Sequence, residues 1–260
     1  MPQSNSRKGR KRATDTTLLI DGDVLAYNAA NGEQRVTDWG EGVTSCAMGS
    51  LEDGIRDVLA ACERYTEKLH ADRFVICLTH PTQFRKALLP TYKANRGEKP
   101  LLVDPIRDYL VEHHGAVRRP QLEGDDVMGI YATHASLIPG NKIIVSIDKD
   151  MRQIPGTLFM PHKDEFSKIS PEEADYFHLL QTLTGDPTDN YKGCPGIGPV
   201  KGRAILAQDG DPWDLIVAAY EAKGLTEADA LVQARVARIL RNTDFNFKTK
   251  EPILWTPSQS

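Results

Sequence analysis

Carboxylates stand beside the apolar runs of this chain in a repeated arrangement. Asp21 closes the run TTLLID (16–21) and Asp23 follows two residues on; Asp148 closes KIIVSID (142–148) and Asp150 follows two residues on. The segment LEGDDVMG adds Glu123, Asp125 and Asp126 at the start of a predicted helix. Ligands of open α/β sheets bind beyond the carboxyl ends of the strands, so all of these can face one cleft. Seven carboxylates brought together, those just named, repel and raise one another's pKa values unless cations neutralise them, which makes the set a metal-site candidate. Hard oxygen donors favour magnesium or manganese. Two such ions about 4 Å apart can clamp the attacking and leaving oxygens of a phosphodiester. For any one of these residues a helix cap or a turn is an equally good explanation, and Asp23 and Asp125 are the two best explained as structural only. The set as a whole is poorly explained that way.

A second constellation follows in GDPTDNYKGCPGIGPVKGRAIL (185–206). Asp186 and Asp189 stand three apart and can reach back to complete a second metal position. Gly193, Gly196 and Gly198 then fall within a tight turn before Lys201, Gly202 and Arg203. Two helices joined by such a turn expose backbone N–H groups at the start of the second helix, and these hold DNA phosphates without reading bases. A lone glycine-rich loop is usually only a turn; cations placed where phosphate would lie make this one more specific.

A third is HPTQFRKALLPTYKANRGEKP (80–100), where Arg85, Lys86, Lys93, Arg96 and Lys99 surround Phe84 and Tyr92. Aromatics among cations suit a grip on a single strand or strand end. The plainer alternative is a solvated connector that buries Phe84 and Tyr92 in the core.

These residues need a frame, and the apolar pattern supplies one. TTLLID (16–21), RFVICLT (73–79), KIIVSID (142–148) and GTLFM (156–160) read as buried strands. Between them, residues 50–71 place Leu51, Ile55, Val58, Leu59, Cys62 and Tyr65 on one helical face behind Ser50 as cap; Asp104-Pro105 opens a further helix that Gly115 closes. SPEE (170–173) has capping-box spacing and starts a helix to about Leu183. Strands alternating with helices predict a mostly parallel sheet covered on both faces. After Gly185 the chain reads as helices, with starts at Asp211-Pro212 and Thr226–Asp229 and a final short strand in PILW (252–255).

The division expected is a disordered basic tail over 1–15, carrying Arg7, Lys8, Arg10, Lys11 and Arg12, a catalytic α/β domain over 16–184 and a helical region over 185–260. At 260 residues and 40% apolar content there is room for one sizeable core. No apolar run is long enough to span a membrane and no signal peptide is visible, so the expected place is the cytoplasm. Cys46, Cys62, Cys77 and Cys194 are too scattered for a zinc knuckle or redox pair. The net charge of −4 disfavours nucleic acid taken alone, but the positive charge is gathered in the three places described.

The segments LLIDGDVLAY, FRKALLPTYKANR, LEGDDVMG, SIDKDMRQIP, LTGDPTDNYKGCPGIGP and ARILRNTDFNFKTKEPILW occur in one order between Thr17 and Trp255. They resemble the 5′-nuclease superfamily, which includes flap endonucleases and the 5′-nuclease domains of bacterial DNA polymerases, and most closely the exonucleases of short-tailed lytic phages. The resemblance implies a PIN-like Rossmann-type sheet with a helix-three-turn-helix DNA-binding motif. It implies metal-dependent 5′→3′ hydrolysis from the 5′ ends of duplex DNA, extending to flaps and to the RNA of RNA–DNA hybrids, in phage DNA replication, primer removal or host DNA degradation within the host cytoplasm. By the same resemblance one ion is held by Asp21, Glu123, Asp125, Asp126 and Asp148 and a second by Asp150, Asp186 and Asp189, with potassium in the turn around Gly193–Gly198. Lys93 and Arg96 would belong to a mobile arch that polarises the scissile phosphate, and Tyr92 would stack on a base; catalysis would rest on Asp21, Asp148, Lys93 and Arg96, and DNA would also be held by Arg85, Lys86, Lys201 and Arg203.

The pattern departs from that family at Thr79-His80, where Thr-Asp is usual; an imidazole there removes one negative charge from the first site. His80 is equally well read as a surface histidine at a strand end. Two other classes compete. Asp21-Gly22-Asp23-Val24 fits the Asp-x-Asp-x-Val strand end of haloacid-dehalogenase-type phosphatases, with Asp21 as nucleophile. A structure-specific DNA-binding protein with a decayed metal site is the non-enzymatic alternative.

Overall fold

The computed structural model describes residues 15–38 and 44–257. Of the expected basic tail only Asp15 falls among them, and the rest of that segment lies outside the described residues. The chain runs β1 (Thr16–Asp21), α1 (Gly22–Gly32), β2 (Gln34–Asp38), β3 (Thr44–Met48), α2 (Leu51–Lys68), β4 (Arg73–Leu78), α3 (Phe84–Leu88), α4 (Val103–His114), β5 (Val117–Arg118), α5 (Gly124–Thr133), β6 (Asn141–Val145), β7 (Gly156–Met160) and β8 (Glu165–Ile169). It continues through α6 (Pro171–Thr184), α7 (Pro199–Leu206), α8 (Pro212–Glu221), α9 (Glu227–Ala237), β9 (Phe245–Asn246) and β10 (Glu251–Pro252).

The main sheet has the order β5-β4-β1-β6-β7-β8, parallel except for the edge strand β8. Its inner strands are continuously apolar because both faces are covered, and the pleat divides successive residues between two cores. Leu18, Ile20, Ile76, Leu78, Val145 and Phe159 face the core shared with α1, α2 and α4. Leu19, Cys77, Ile144 and Leu158 face the other, shared with α5 and with Ile239 and Leu240. The helix α1 starts at the very end of β1, where a Cβ on Gly22 would lie 2.4 Å from Ile76 Cγ2 and 3.0 Å from the Cys77 carbonyl oxygen, so only glycine lets the turn approach β4.

Helices α6 to α9 enclose a third core of Leu183, Trp213, Ile216, Tyr220, Ala230 and Ala234. Between α6 and α7 the chain makes the turns at 185–198. Gly185 (φ 65°) and Gly193 (φ 62°) face each other there: a Cβ on either would lie within 2.6 Å of the other's backbone nitrogen. The chain after α9 then returns to the sheet. Ala237 O accepts from Gln153 Nε2 at 2.7 Å, Leu240 N–H donates to Asp126 at 3.0 Å, and Arg241 Nη2 donates to Gln153 O at 2.8 Å.

The four expected strands, the helices at 50–71 and 170–183, and the caps Asp211 and Thr226 correspond to observed elements. Four expectations change, the first being the final short strand, which spans Glu251–Pro252 instead of 252–255. The helix assigned to Asp104-Pro105 begins at Val103, one residue earlier, while Gly115 (φ 65°) ends it as expected. The third strand stops at Val145, leaving Ser146 to Asp148 as a loop. The antiparallel pair β2–β3 and the edge strand β8 have no counterpart among the expected elements.

Candidate metal and phosphate site

Beyond the carboxyl ends of β1, β4 and β6 lies a cleft of about 800 Å³ lined in part by Asp21, Glu123, Asp125, Asp148 and Asp189. Asp21 is almost fully buried; it caps α1 through Val24 N–H (3.2 Å) and accepts from Ser146 Oγ (2.7 Å). Ser146 Oγ also accepts from the Asp148 N–H at 3.0 Å, so one hydroxyl sets the spacing between the first and third strand ends. Asp148 in turn caps the 3-10 turn Lys149–Gln153 by accepting from Asp150 N–H at 2.8 Å.

The electrostatics of this group are those of an anion cluster. Burial, then Asp23 and Asp148, push the Asp21 carboxyl up to about 6. Burial, then Asp148, push Asp150 up to about 7. Asp125 is raised well above the usual carboxylate range by burial and then by Asp21 and Asp148. Asp125 is thus drawn into the cluster, against the expectation that it is structural only. Asp23 lines the same cleft with its oxygens engaged: it accepts from Thr79 N–H (3.0 Å) and Thr79 Oγ1 and pairs with Arg107 Nη2 at 2.8 Å.

Glu123 behaves differently. Burial alone would raise it, but Lys93 (2.5 Å) and Arg85 (2.9 Å) outweigh burial and hold it at about 2. Lys93 remains protonated: burial opposes its charge, but Glu123 and Asp189 together lift its pKa above the ordinary value. Asp189 accepts from Arg96 Nη2 at 2.7 Å and from the Tyr92 hydroxyl at 3.1 Å. Asp186 is also pulled up by burial, yet it ends below its usual value because Lys149 Nζ (3.0 Å) and Thr188 N–H (2.7 Å) donate to it.

Four expected assignments are corrected. Asp126 is completely buried and all four of its acceptor positions are used, by Arg85 Nη1 and Nη2 (2.7 Å each), Glu123 N–H (3.0 Å) and Leu240 N–H (3.0 Å), so none remains for a metal ion. Arg85 is 2% exposed and spends its remaining donors on the Val236 and Arg238 carbonyls, so it reaches no DNA. Tyr92, 3% exposed, donates to Glu123 at 2.8 Å and offers no face to a base; Phe84 is buried too, as the connector alternative had it. Gly193 is buried against Gly185, and its N–H goes to Gln233 Oε1 at 2.9 Å.

Lys86, Lys93 and Arg96 line the cleft, and Gly196, Gly198, Lys201 and Arg203 are exposed around the start of α7. His80 also lines the cleft, its Nδ1 within hydrogen-bond distance of Thr82 Oγ1 at 2.8 Å. The site also depends on residues that sequence reasoning missed: Ser146, Thr79, Lys149 and Gln181, the last donating to Asp150 at 2.7 Å. Only Ser146 carried a signal, as the lone polar residue two positions before the strand-end aspartate.

The donor set fits divalent metal: the Asp21, Asp125 and Asp150 carboxyls are each raised by burial and by the neighbouring Asp148, and the cations Lys93 and Lys149 are paired with Glu123 and Asp186. Among the described residues, no three His, Cys, Asp or Glu side chains are already drawn around a single point. No described helix is long and apolar enough to cross a membrane.

Comparison with known proteins gives the family and the fold. The family model described as 5′-3′ exonuclease, N-terminal resolvase-like domain, matches residues 16–175. The exonuclease of Escherichia phage T7 is 31% identical over 92% of this chain and 93% of its own length. The exodeoxyribonuclease of Enterobacteria phage T3 is 32% identical, covering 92% of each chain. Among solved structures, the flap endonuclease of bacteriophage T5, in a pseudo-enzyme-product complex with DNA and metal ions, superposes with a TM-score of 0.60 at 15% identity over 88% of this chain and 90% of that one. At that identity the likeness is one of fold.

Proposed function

This chain belongs to the family of 5′-3′ exonucleases with an N-terminal resolvase-like domain and is a 5′-3′ exonuclease, and from that premise we propose that its carboxylate cleft hydrolyses duplex DNA from 5′ ends with two magnesium or manganese ions. The observation that carries the reading is that burial, and after it the charge of Asp148, raises each of the Asp21, Asp125 and Asp150 carboxyls at the strand ends, a state that divalent cations relieve. Asp21, Asp125 and Asp148 would hold one ion, with Glu123 beside it, and Asp150, Asp186 and Asp189 the other. Such a pair activates water and offsets the charge that develops on the leaving oxygen.

The protein's own groups do the rest. Lys93 and Arg96 sit at the same cleft on flexible stems and donate to the oxygens of the scissile phosphate, exchanging Glu123 and Asp189 for it. Lys86 adds charge along the approach. The exposed backbone N–H groups of Gly196 and Gly198, with Lys201 and Arg203, hold duplex phosphates downstream and serve as the DNA-binding turn of a helix-three-turn-helix, with potassium bound by carbonyls in the same turn. In this reading 16–184 carries most of the chemistry, and 185–260 holds the duplex and lends Asp186 and Asp189 to the second ion; flaps and the RNA strand of hybrids are further substrates. The phosphatase and the decayed binding protein leave this arrangement, and the family to which the chain belongs, unaccounted for.

Release of label from a 5′-labelled linear duplex tests the reading, with magnesium, manganese or chelator and with Asp148→Ala alongside. Mononucleotides released from the 5′ end only with metal and only by the native protein are expected. Release in chelator, or undiminished release by Asp148→Ala, would refute the metal assignment.

A further inference from the structure

The segment 91–96 and the turn 186–191 are far apart in sequence and tied together in two distinct ways. One set of ties is ionic: Arg96 and Lys93 to Asp189 at 2.7 and 3.4 Å. The other is neutral: Asn190 Nδ2 donates to Thr91 O at 2.7 Å, Lys93 N–H donates to Asp189 O at 2.8 Å, and Asn95 Nδ2 donates to Pro187 O at 3.0 Å. Both Asn190 and Lys93 hold left-handed backbone, each at φ 56°, a conformation that asparagine tolerates and lysine rarely adopts.

The two sets respond differently to substrate. Phosphate oxygens compete for Lys93 and Arg96, and cations compete for Asp189, so the ionic ties dissolve when the site is used. Amide-to-carbonyl bonds compete with neither. We propose that Asn190, supported by Asn95, is a positioning residue that clamps the backbone of 91–96 to the 186–191 turn, so that Lys93 and Arg96 stay aimed at the scissile phosphate after their ion pairs have opened. The inference rests on the reading that these two cations act on that phosphate.

The closing test uses the full chain with Asn190→Gly, which keeps the left-handed backbone and removes only the amide, together with Lys93→Ala and the double variant. Asn190→Gly lowers kcat on saturating 5′-ended duplex about tenfold or more, since misplacement by an ångström can cost about a hundredfold. KM, duplex affinity in chelator and the melting temperature stay near the native values. In the Lys93→Ala background the same change costs several-fold less than it does alone, because the share of the clamp's effect that acts through Lys93 is gone and only the share through Arg96 is left. Native kcat in Asn190→Gly with activity lost in Lys93→Ala overturns the clamp and leaves the role of Lys93 standing; native kcat in both overturns the two together. A full multiplicative loss in the double variant, or a loss accounted for by melting or by KM, also overturns the clamp.

Discussion

Arg85 and Asp126 are joined by two parallel hydrogen bonds of 2.7 Å, and neither side chain is more than 2% exposed. The pair lies beneath the cleft rather than in it. Arg85→Met leaves Asp126 and Glu123 without their buried partner, and loss of one member of such a pair costs about 3–5 kcal/mol. Urea unfolding should register that loss, while the salt dependence of duplex binding keeps its native slope. A shallower slope at unchanged stability would return Arg85 to the DNA-contact surface.

Metal removal should make stability depend on pH in a definite direction. Asp21 and Asp150 rise from 3.8 to about 6 and about 7 on folding, so the folded protein binds more protons than the unfolded chain between those values. In chelator, stability therefore falls as pH rises from about 4 to 7, at up to about 1.4 kcal/mol per pH unit per group. Magnesium neutralises the same carboxylates, so the gap in melting temperature between magnesium and chelator widens from pH 5 to pH 8. A gap independent of pH would separate these carboxyls from the ion.

His178 supplies a second pH dependence, with the opposite sign. Its Nε2–H donates to Ala234 O at 2.9 Å, and burial, aided by Arg238, lowers its pKa to about 3. The neutral ring is common to both states above pH 6.5; below it the unfolded chain takes up a proton that the folded one refuses. Stability is lost from about 6.5 downward, by about 2 kcal/mol at pH 5. His178→Gln should flatten that limb of the profile; an unchanged limb would assign it to other groups.

His80→Asp should tighten magnesium binding on the order of tenfold, because it adds a charged oxygen to the wall of a cleft built from carboxylates. Titration of magnesium against the melting temperature or product release reads this directly. An identical midpoint would make His80 a bystander held by Thr82.

Much of this protein is legible in its sequence. Asp21, Asp148 and Asp150 are found because buried parallel strands are continuously apolar, so a carboxylate at their ends stands out. The caps Ser170, Asp211 and Thr226 are found because helix starts have local chemistry. What escapes detection is non-local. Arg85 and Tyr92 look like surface residues in the segment 84–96 and are buried only because Val236 and Arg238 arrive from far along the chain to satisfy the guanidinium. Asp126 is misread for the same reason: one position from Asp125 on the same helix, it faces a different way. The strand β8 is missed because an edge strand alternates weakly, and Ser146 because its one local sign, a hydroxyl two positions before Asp148, does not reveal that it bridges two strand ends.

The return of residues 236–241 to the sheet has a consequence for how the protein comes into being. Arg85, Asp126 and Gln153 are built early, yet the carbonyls and N–H groups that satisfy them belong to the last tenth or so of the chain. On a ribosome the sheet and most of its helices emerge with Arg85 and Asp126 able to pair with each other but with the set of partners of all three side chains incomplete. A chain ending before Ala237 would keep the strand-end carboxylates and lack the backbone groups that complete the hydrogen bonds of Gln153 and Asp126 beneath them.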